Sequence, residues 1–311
     1  MADLSENKDA PTPAELLERE AAGRNRAGLA ALLSAICVTF AFFVTQLITG
    51  DAPSITITDA LQDAAGERAS DSAGLLAPYI TYLEGKAAVS GLQTLLEIAG
   101  LIGFAIVLLY LYHAAKGRRP ETKGWLKQLI IVSFSAVIVG AVLFYIGRTI
   151  AFHNFVGSDD QSNQAARDAL GSTPAVVGTL LQQFGRYAVL AAWALVSLHA
   201  MRAGLLTKFL GTLGVLGAVL TAIVIQLPII QIFWLVVVGM TILGKFSTPP
   251  AWTTGTAVPW PTQQEAREAR ERAREGQPGP ANAKPAKNDA GKPGTDKPSP
   301  ATSARKRKRR S

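Results

Sequence analysis

A single cysteine, Cys37, stands in this 311-residue chain, so no intrachain disulfide can form and a disulfide-stapled scaffold is excluded. It lies within an apolar run, where a lone cysteine behaves as a small hydrophobe. The chain also lacks H-E-x-x-H, G-x-S-x-G and any paired-cysteine motif, so no catalytic or metal-binding signature is legible and no cofactor is expected. Charge is missing where its absence says most. From Phe209 to Gly244 no side chain is charged, and a charge-free run of about 18 or more apolar residues reads as a membrane span.

What is present is apolar residue in blocks. Hydrophobic residues make up 49% of the chain, an ordinary fraction, but charges lie almost entirely between the blocks. A span needs about 20 apolar residues to cross about 30 Å of hydrocarbon. The blocks place spans at about 29–48, 92–111, 129–150 and 178–200. The first follows Arg19, Arg24 and Arg26. It is too long for a secretory h-region and no small-residue cleavage site follows, so it reads as a retained anchor. The stretch 209–244 would run about 54 Å as one helix, well beyond the hydrocarbon core. Pro228, in "IQLPII", removes a backbone donor and disfavours helix at Leu227. Two short spans, 209–226 and 229–244, follow; a single kinked helix is the competing reading.

The basic residues test this threading. Lys245–Ser311 holds 15 Lys and Arg against 6 Asp and Glu, a net +9, so the +8 of the whole chain resides in its last fifth. With six spans and a cytoplasmic N-terminus, the inner flanks hold Arg19, Arg24 and Arg26, then Lys116, Arg118, Arg119, Lys123 and Lys127, then Arg202 and Lys208, then Lys245 and the tail. Fewer basic residues fall outside, as the positive-inside rule requires. The expectation is an all-α membrane protein: a cytoplasmic segment 1–26, a six-helix transmembrane domain 27–245, a juxtamembrane segment with a short charged helix 246–276, and a disordered basic tail 277–311. Both termini are cytoplasmic at a bacterial plasma membrane.

Outside the spans, "GLLAPYITYLEG" suits either the membrane surface or a short helix packed on the bundle. His153, Asp159 and Asp160 sit in a loop of about 153–174; they lack metal-ligand spacing, and a solvated loop is expected. Trp252 and Trp260 suit the inner interface. Thr262 with Glu265 has capping-box spacing and Gly276 can close a helix at about 262–275. The tail is built from Pro, Ala, Lys, Gly, Ser and Thr, which have nothing to bury. It ends in Arg305, Lys306, Arg307, Lys308, Arg309 and Arg310. This run suits anionic lipid, a nucleic-acid polyanion, or plain solvation and orientation.

Three ionisable residues fall within the spans, all in the outer half: Glu97 in "LLEIAGL", Arg148 in "YIGRTI" and Arg186 in "QQFGRYAVL". Ionisable groups in a bilayer face inward and pair. Arg186 is expected to neutralise Glu97, with Arg148 as second partner. The pair would fix helix register or form a proton or substrate site; snorkelling of each residue alone is the third reading. Gly214, Ala218 and Ala222 are spaced four apart, a small-residue stripe for close helix packing. "GTLGVLG" follows no strand, so a phosphate-loop reading fails. His113 and His199 lie toward inner span ends.

Four stretches together, "LLYLYHAAKGRRPE", "LVSLHAMRAGLLTKFLGTLGVLG", "IQIFWLVVVGMTILGK" and "PPAWTTGTAVPWPT", resemble a family of uncharacterised multi-span integral membrane proteins of high-GC Gram-positive (actinobacterial) bacteria. The resemblance covers about 90–260. It implies several spans followed by a Trp- and Pro-rich cytoplasmic segment, and it carries no activity, cofactor or catalytic residue. The expected function is structural or regulatory rather than enzymatic, with the lipid bilayer as partner and the tail contacting anionic lipid or a cytoplasmic protein. The alternative is a small transporter or channel using Glu97.

Overall fold

A computed structural model describes residues 12–53, 75–223, 228–246 and 248–260, with 267, 268 and 271. The chain divides into a unit ending at Trp260 and another beginning at Pro261. Of the second unit only Arg267, Glu268 and Glu271 are described, all helical. The rest of the charged helix expected at 262–275 and the tail with Arg305–Arg310 lie outside the described residues.

The described residues form helices and no strands. They are α1 (Pro13–Thr49), α2 (Ala77–Gly85), α3 (Ala87–Arg118), α4 (Trp125–Val156), α5 (Asn163–Leu170), α6 (Thr173–Arg202), α7 (Lys208–Ile223), α8 (Ile229–Ile242) and α9 (Ala251–Thr254). α1, α3, α4 and α6 are long and apolar enough to cross a membrane. α7 and α8 are shorter apolar helices, of 16 and 14 described residues. Pro228 caps α8, where its missing N–H costs no helical bond.

α1 starts well before its apolar block. Thr12 Oγ1 accepts from Glu15 N (3.4 Å) and Glu15 Oε2 accepts from Thr12 N (3.1 Å), a capping box with Pro13 in the first turn. The helix is then apolar on both faces, as a lipid-facing element requires. Its buried face is small: Ala27, Ala31, Ser34 and Ala35. Its exposed face is Leu29, Leu33, Ile36, Phe40, Phe43 and Leu47, each more than half exposed. The spacing alternates four and three, one stripe along the helix. In water this stripe would be an aggregating patch; hydrocarbon is its natural solvent.

α4 packs along α6 and α1 along α3; α7 lies on α6, and α8 on α1. Small residues allow the close approach. A Cβ on Gly140 would come 2.8 Å from Gln182 N, and one on Gly178 2.7 Å from Gly140 O, so α4 and α6 touch backbone to backbone. Small residues on α7, among them Gly214, Ala218 and Ala222, also lie against the bundle, and Gly217 joins them. A Cβ on Gly217 would lie 2.7 Å from the Trp193 ring, one on Gly214 would strike Ser197, Ala218 is buried and Ala222 only partly so. At the centre, Phe104, Trp193 and Trp234 meet edge to face with centroids 5.5–6.0 Å apart, a geometry favoured by the ring quadrupoles. Trp234 Nε1 donates to Leu210 O at 3.1 Å.

"GLLAPYITYLEG" forms α2, which packs on the bundle. Ile80 and Leu83 are buried with Ile48, Phe152 and Phe155, and Tyr82 Oη donates to Ile48 O at 3.0 Å. The 153–174 segment is less loop-like than expected, because Ser162 caps α5 by accepting from Ala165 N (3.3 Å).

Candidate functional site

Two polar assemblies interrupt the apolar bundle, one at each end. The first lies at the end where α1 and α4 finish and α3 and α6 begin. A cavity of about 740 Å³ opens there. α1 contributes Thr45, Gln46 and Thr49; α3 Gln93, Thr94 and Glu97; α4 Tyr145 and Arg148; α6 Gln182 and Arg186. Thr221 and Pro228, with Gln231, close its inner side, and Phe104 joins it to the aromatic centre. About 20 Å of helix separates Arg186 from the start of α6 at Thr173, and about 15 Å separates Glu97 from the start of α3 at Ala87.

Glu97, Arg148 and Arg186 all line this cavity. Arg186 Nη2 stands 3.9 Å from Glu97 Oε1, with side chains 40% and 32% exposed. This is a long ion pair with both side chains only partly covered, a geometry that gives a weak attraction. Arg148 departs from its expected role. No carboxylate lies within 4.0 Å of it among the described residues, and its guanidinium stands over Phe144 and Phe152, 5.1 and 5.8 Å from the ring centroids. α4 holds it there because Phe144, Arg148 and Phe152 are four residues apart on one helical face. Among the described residues the lining carries one carboxylate and two guanidiniums, a formal net +1. Pro228, which divides the 209–244 stretch, borders the same cavity.

The second assembly, at the other end, was not legible as a site. Arg118, in the basic run "KGRR", has a fully buried side chain. It donates through both terminal nitrogens to the Glu20 carboxylate, with Nη2 to Oε2 at 2.8 Å, and to the carbonyls of Ala251 (2.8 and 3.2 Å) and Ala114 (3.0 Å). Trp252 stacks on Tyr110 with centroids 5.8 Å apart, Arg118 and Arg24 stand over its ring, and its Nε1 donates to Leu205 O at 2.8 Å. Trp252 is thus buried in protein, not spread at an interface. Trp260 reaches the neighbouring carbonyl, Nε1 to Leu206 O at 2.9 Å. The Trp- and Pro-rich segment is a clasp that ties α1, α3 and the α6–α7 connection together.

The remaining candidates do not assemble. Among the described residues no three His, Cys, Asp or Glu side chains could hold a metal ion together. His153 Nδ1 meets Glu84 Oε1 at 3.4 Å on the surface. Asp160 Oδ1 accepts from Ser162 N at 2.9 Å, which holds its carboxyl below the usual carboxylate range. His113 bonds the Leu109 carbonyl one turn back, and His199 lies in the last turn of α6.

Comparison of the chain with protein-family models, with curated proteins and with solved structures found no match. The described residues are helical, with four helices long and apolar enough to cross a membrane and a cavity with polar lining residues among them, as in a helical membrane protein.

Proposed function

We propose that this chain is a multi-pass plasma-membrane protein that binds or conducts a small anion through a vestibule open to the outer face. One observation carries the reading: a 740 Å³ cavity in an otherwise apolar bundle, with two guanidiniums and one carboxylate on its wall. Ionised groups at membrane depth are costly and mark solute or ion pathways. Cation-excess walls favour anions by direct attraction and by focusing the field in a low-dielectric setting.

Orientation follows from Lys and Arg placement. Lys116, Arg118, Arg119, Lys123 and Lys127 lie at or just beyond the Arg118 end of α3 and the start of α4, which supports a cytoplasmic position for that end and an outer one for the vestibule. Six crossings is one threading. In another, α7 and α8 enter and leave from the cytoplasmic side as a hairpin beneath the vestibule. Both threadings return the chain to the same side and keep both termini cytoplasmic. A structural role for the Trp252 clasp, with the basic tail contacting anionic lipid, is compatible with either.

Charge-selective labelling tests the vestibule. In a Cys37→Ala background, Gln182→Cys should react from outside intact cells several-fold faster with an anionic methanethiosulfonate than with the cationic one. Arg148→Gln should reduce that ratio. No reaction from outside, or a preference for the cationic reagent, rejects the proposal.

A further inference from the structure

We infer that the anion taken by this vestibule is a single-chain amphiphile with a carboxylate head, its hydrocarbon tail leaving the bundle sideways between α3 and α4. The inference rests on the vestibule reading and names its ligand class. Three observations carry it.

The first is a second cavity of about 530 Å³ on the lipid-facing side of α3 and α4, walled by Leu92, Leu95, Ile98, Val142 and Ile146. Leu92, Leu95 and Ile146 are 52%, 66% and 47% exposed, so the groove is open along its length to whatever surrounds the bundle. Thr94 and Tyr145 border both this groove and the vestibule. On α3, Gln93 and Glu97 face the vestibule while Leu92 and Leu95 face the groove; on α4, Arg148 faces the vestibule while Ile146 faces the groove.

The second is the partition between them. α3 packs mainly on α1, and α4 mainly on α6. Across the α3–α4 gap lies the Tyr145 ring, whose hydroxyl donates to Ala87 O at 3.4 Å. A Cβ on Gly91 would come 2.7 Å from that hydroxyl, so the glycine makes room for it. The partition is therefore thin: the Tyr145 ring, held by one long hydrogen bond, and the Thr94 side chain beside it.

The third is the charge. Glu97 and Arg186 face each other, leaving Arg148 without a carboxylate within 4.0 Å among the described residues. One uncompensated guanidinium matches a monoanion, and its planar fork matches a carboxylate bidentately. A phosphate monoester would bring about −1.5 to −2 charges, more than the wall balances. A bilayer chain alone would fill the groove but leave Arg148 unmatched. The amphiphile satisfies both surfaces, with its head at Arg148 and its tail past Tyr145 into the groove.

The test uses the full chain in phosphatidylcholine nanodiscs with a laurate analogue carrying a terminal diazirine. Photolabel should map to Leu92–Ile98 and Val142–Ile146. Excess laurate should compete it away, while dodecylamine and dodecanol should not. Arg148→Gln should weaken labelling roughly tenfold, about 1.4 kcal/mol. Leu95→Trp, which fills the groove from an exposed position, should weaken it while leaving the reagent selectivity at Gln182→Cys intact. Labelling equally competed by dodecanol, or unchanged in Arg148→Gln, reduces the groove to ordinary lipid contact and overturns the inference. If butyrate protects Gln182→Cys as well as laurate does, the vestibule stands and the amphiphile falls. If Gln182→Cys is unreactive from outside, the vestibule reading itself has failed.

Discussion

Replacing Arg118 with Met should be the most damaging single change at the cytoplasmic end of the bundle. The Arg118 side chain is fully buried and that of Glu20 is 11% exposed, so the partner left behind has almost no water to turn to. The substitution strips Glu20 of both its guanidinium bonds and leaves Ala251 O without its side-chain donors. Breaking a buried pair from one side costs about 3–5 kcal/mol. Using the roughly 2–4 °C per kcal/mol seen for domains of 150–250 residues, the midpoint in detergent should fall by about 6–20 °C. Glu20→Gln should cost less, about 1–3 kcal/mol, because an amide still accepts one hydrogen bond and Arg118 keeps its two carbonyls. The double variant should be less damaged than the sum of the singles by about 1–3 kcal/mol, since the stranded charge is gone. Thermal unfolding followed by tryptophan fluorescence gives the energies. Hydrogen exchange across 249–260 gives the local effect, because the clasp should loosen around Trp252 before the spans do. A cost below about 1 kcal/mol for Arg118→Met, or strict additivity of the pair, would refute the reasoning.

At the other end, Arg186→Ala should cost under about 1 kcal/mol, because the pair with Glu97 is long and both side chains are about a third or more exposed; a loss as large as that of Arg118→Met in the same assay would show a buried pair instead. Gly178→Leu should separate α4 from α6, since even a Cβ there comes 2.7 Å from Gly140 O; overpacking of this kind costs about 1–3 kcal/mol or more, and a midpoint within error of the parent would contradict the backbone contact. Asp160 is held below its ordinary range by Ser162, so its contribution to the turn before α5 is present above the unfolded carboxylate value of about 3.9 and is lost as pH falls through the lower folded one; Asp160→Asn should abolish that acid-side change in exchange at Ser162, and an unchanged profile would assign it elsewhere. The isolated 277–311 peptide should bind anionic liposomes and lose them with salt; equal binding to neutral liposomes would remove the lipid contact.

The apolar blocks made the four long helices legible before any coordinates, because leaving water is decided residue by residue. Pro228 marked the break between α7 and α8 for an equally local reason, the loss of a backbone donor. The blocks did not show where α1 starts, because the Thr12–Glu15 capping box carries the helix through charged residues that belong to no span. Nor did they reveal that Arg118 is buried. In sequence it is one more cation in a basic run beside a span, and Glu20 and Ala251, which hold it, stand 98 and 133 residues away.

What the sequence determined by itself is therefore the one-dimensional part: which segments are apolar, which end of each is basic, and which three ionisable residues sit at similar depth. Depth follows from counting along a helix at about 1.5 Å per residue. The tertiary structure alone decided the rotations. Turning α3, α4 and α6 about their axes sets whether Glu97, Arg148 and Arg186 look into one cavity or out at lipid, and that choice depends on the glycine contacts between α4 and α6 and the aromatic centre on α3, α6 and α8. Helix–helix packing is a property of two surfaces at once. No single stretch of chain contains it, so the vestibule became visible only when the helices stood side by side.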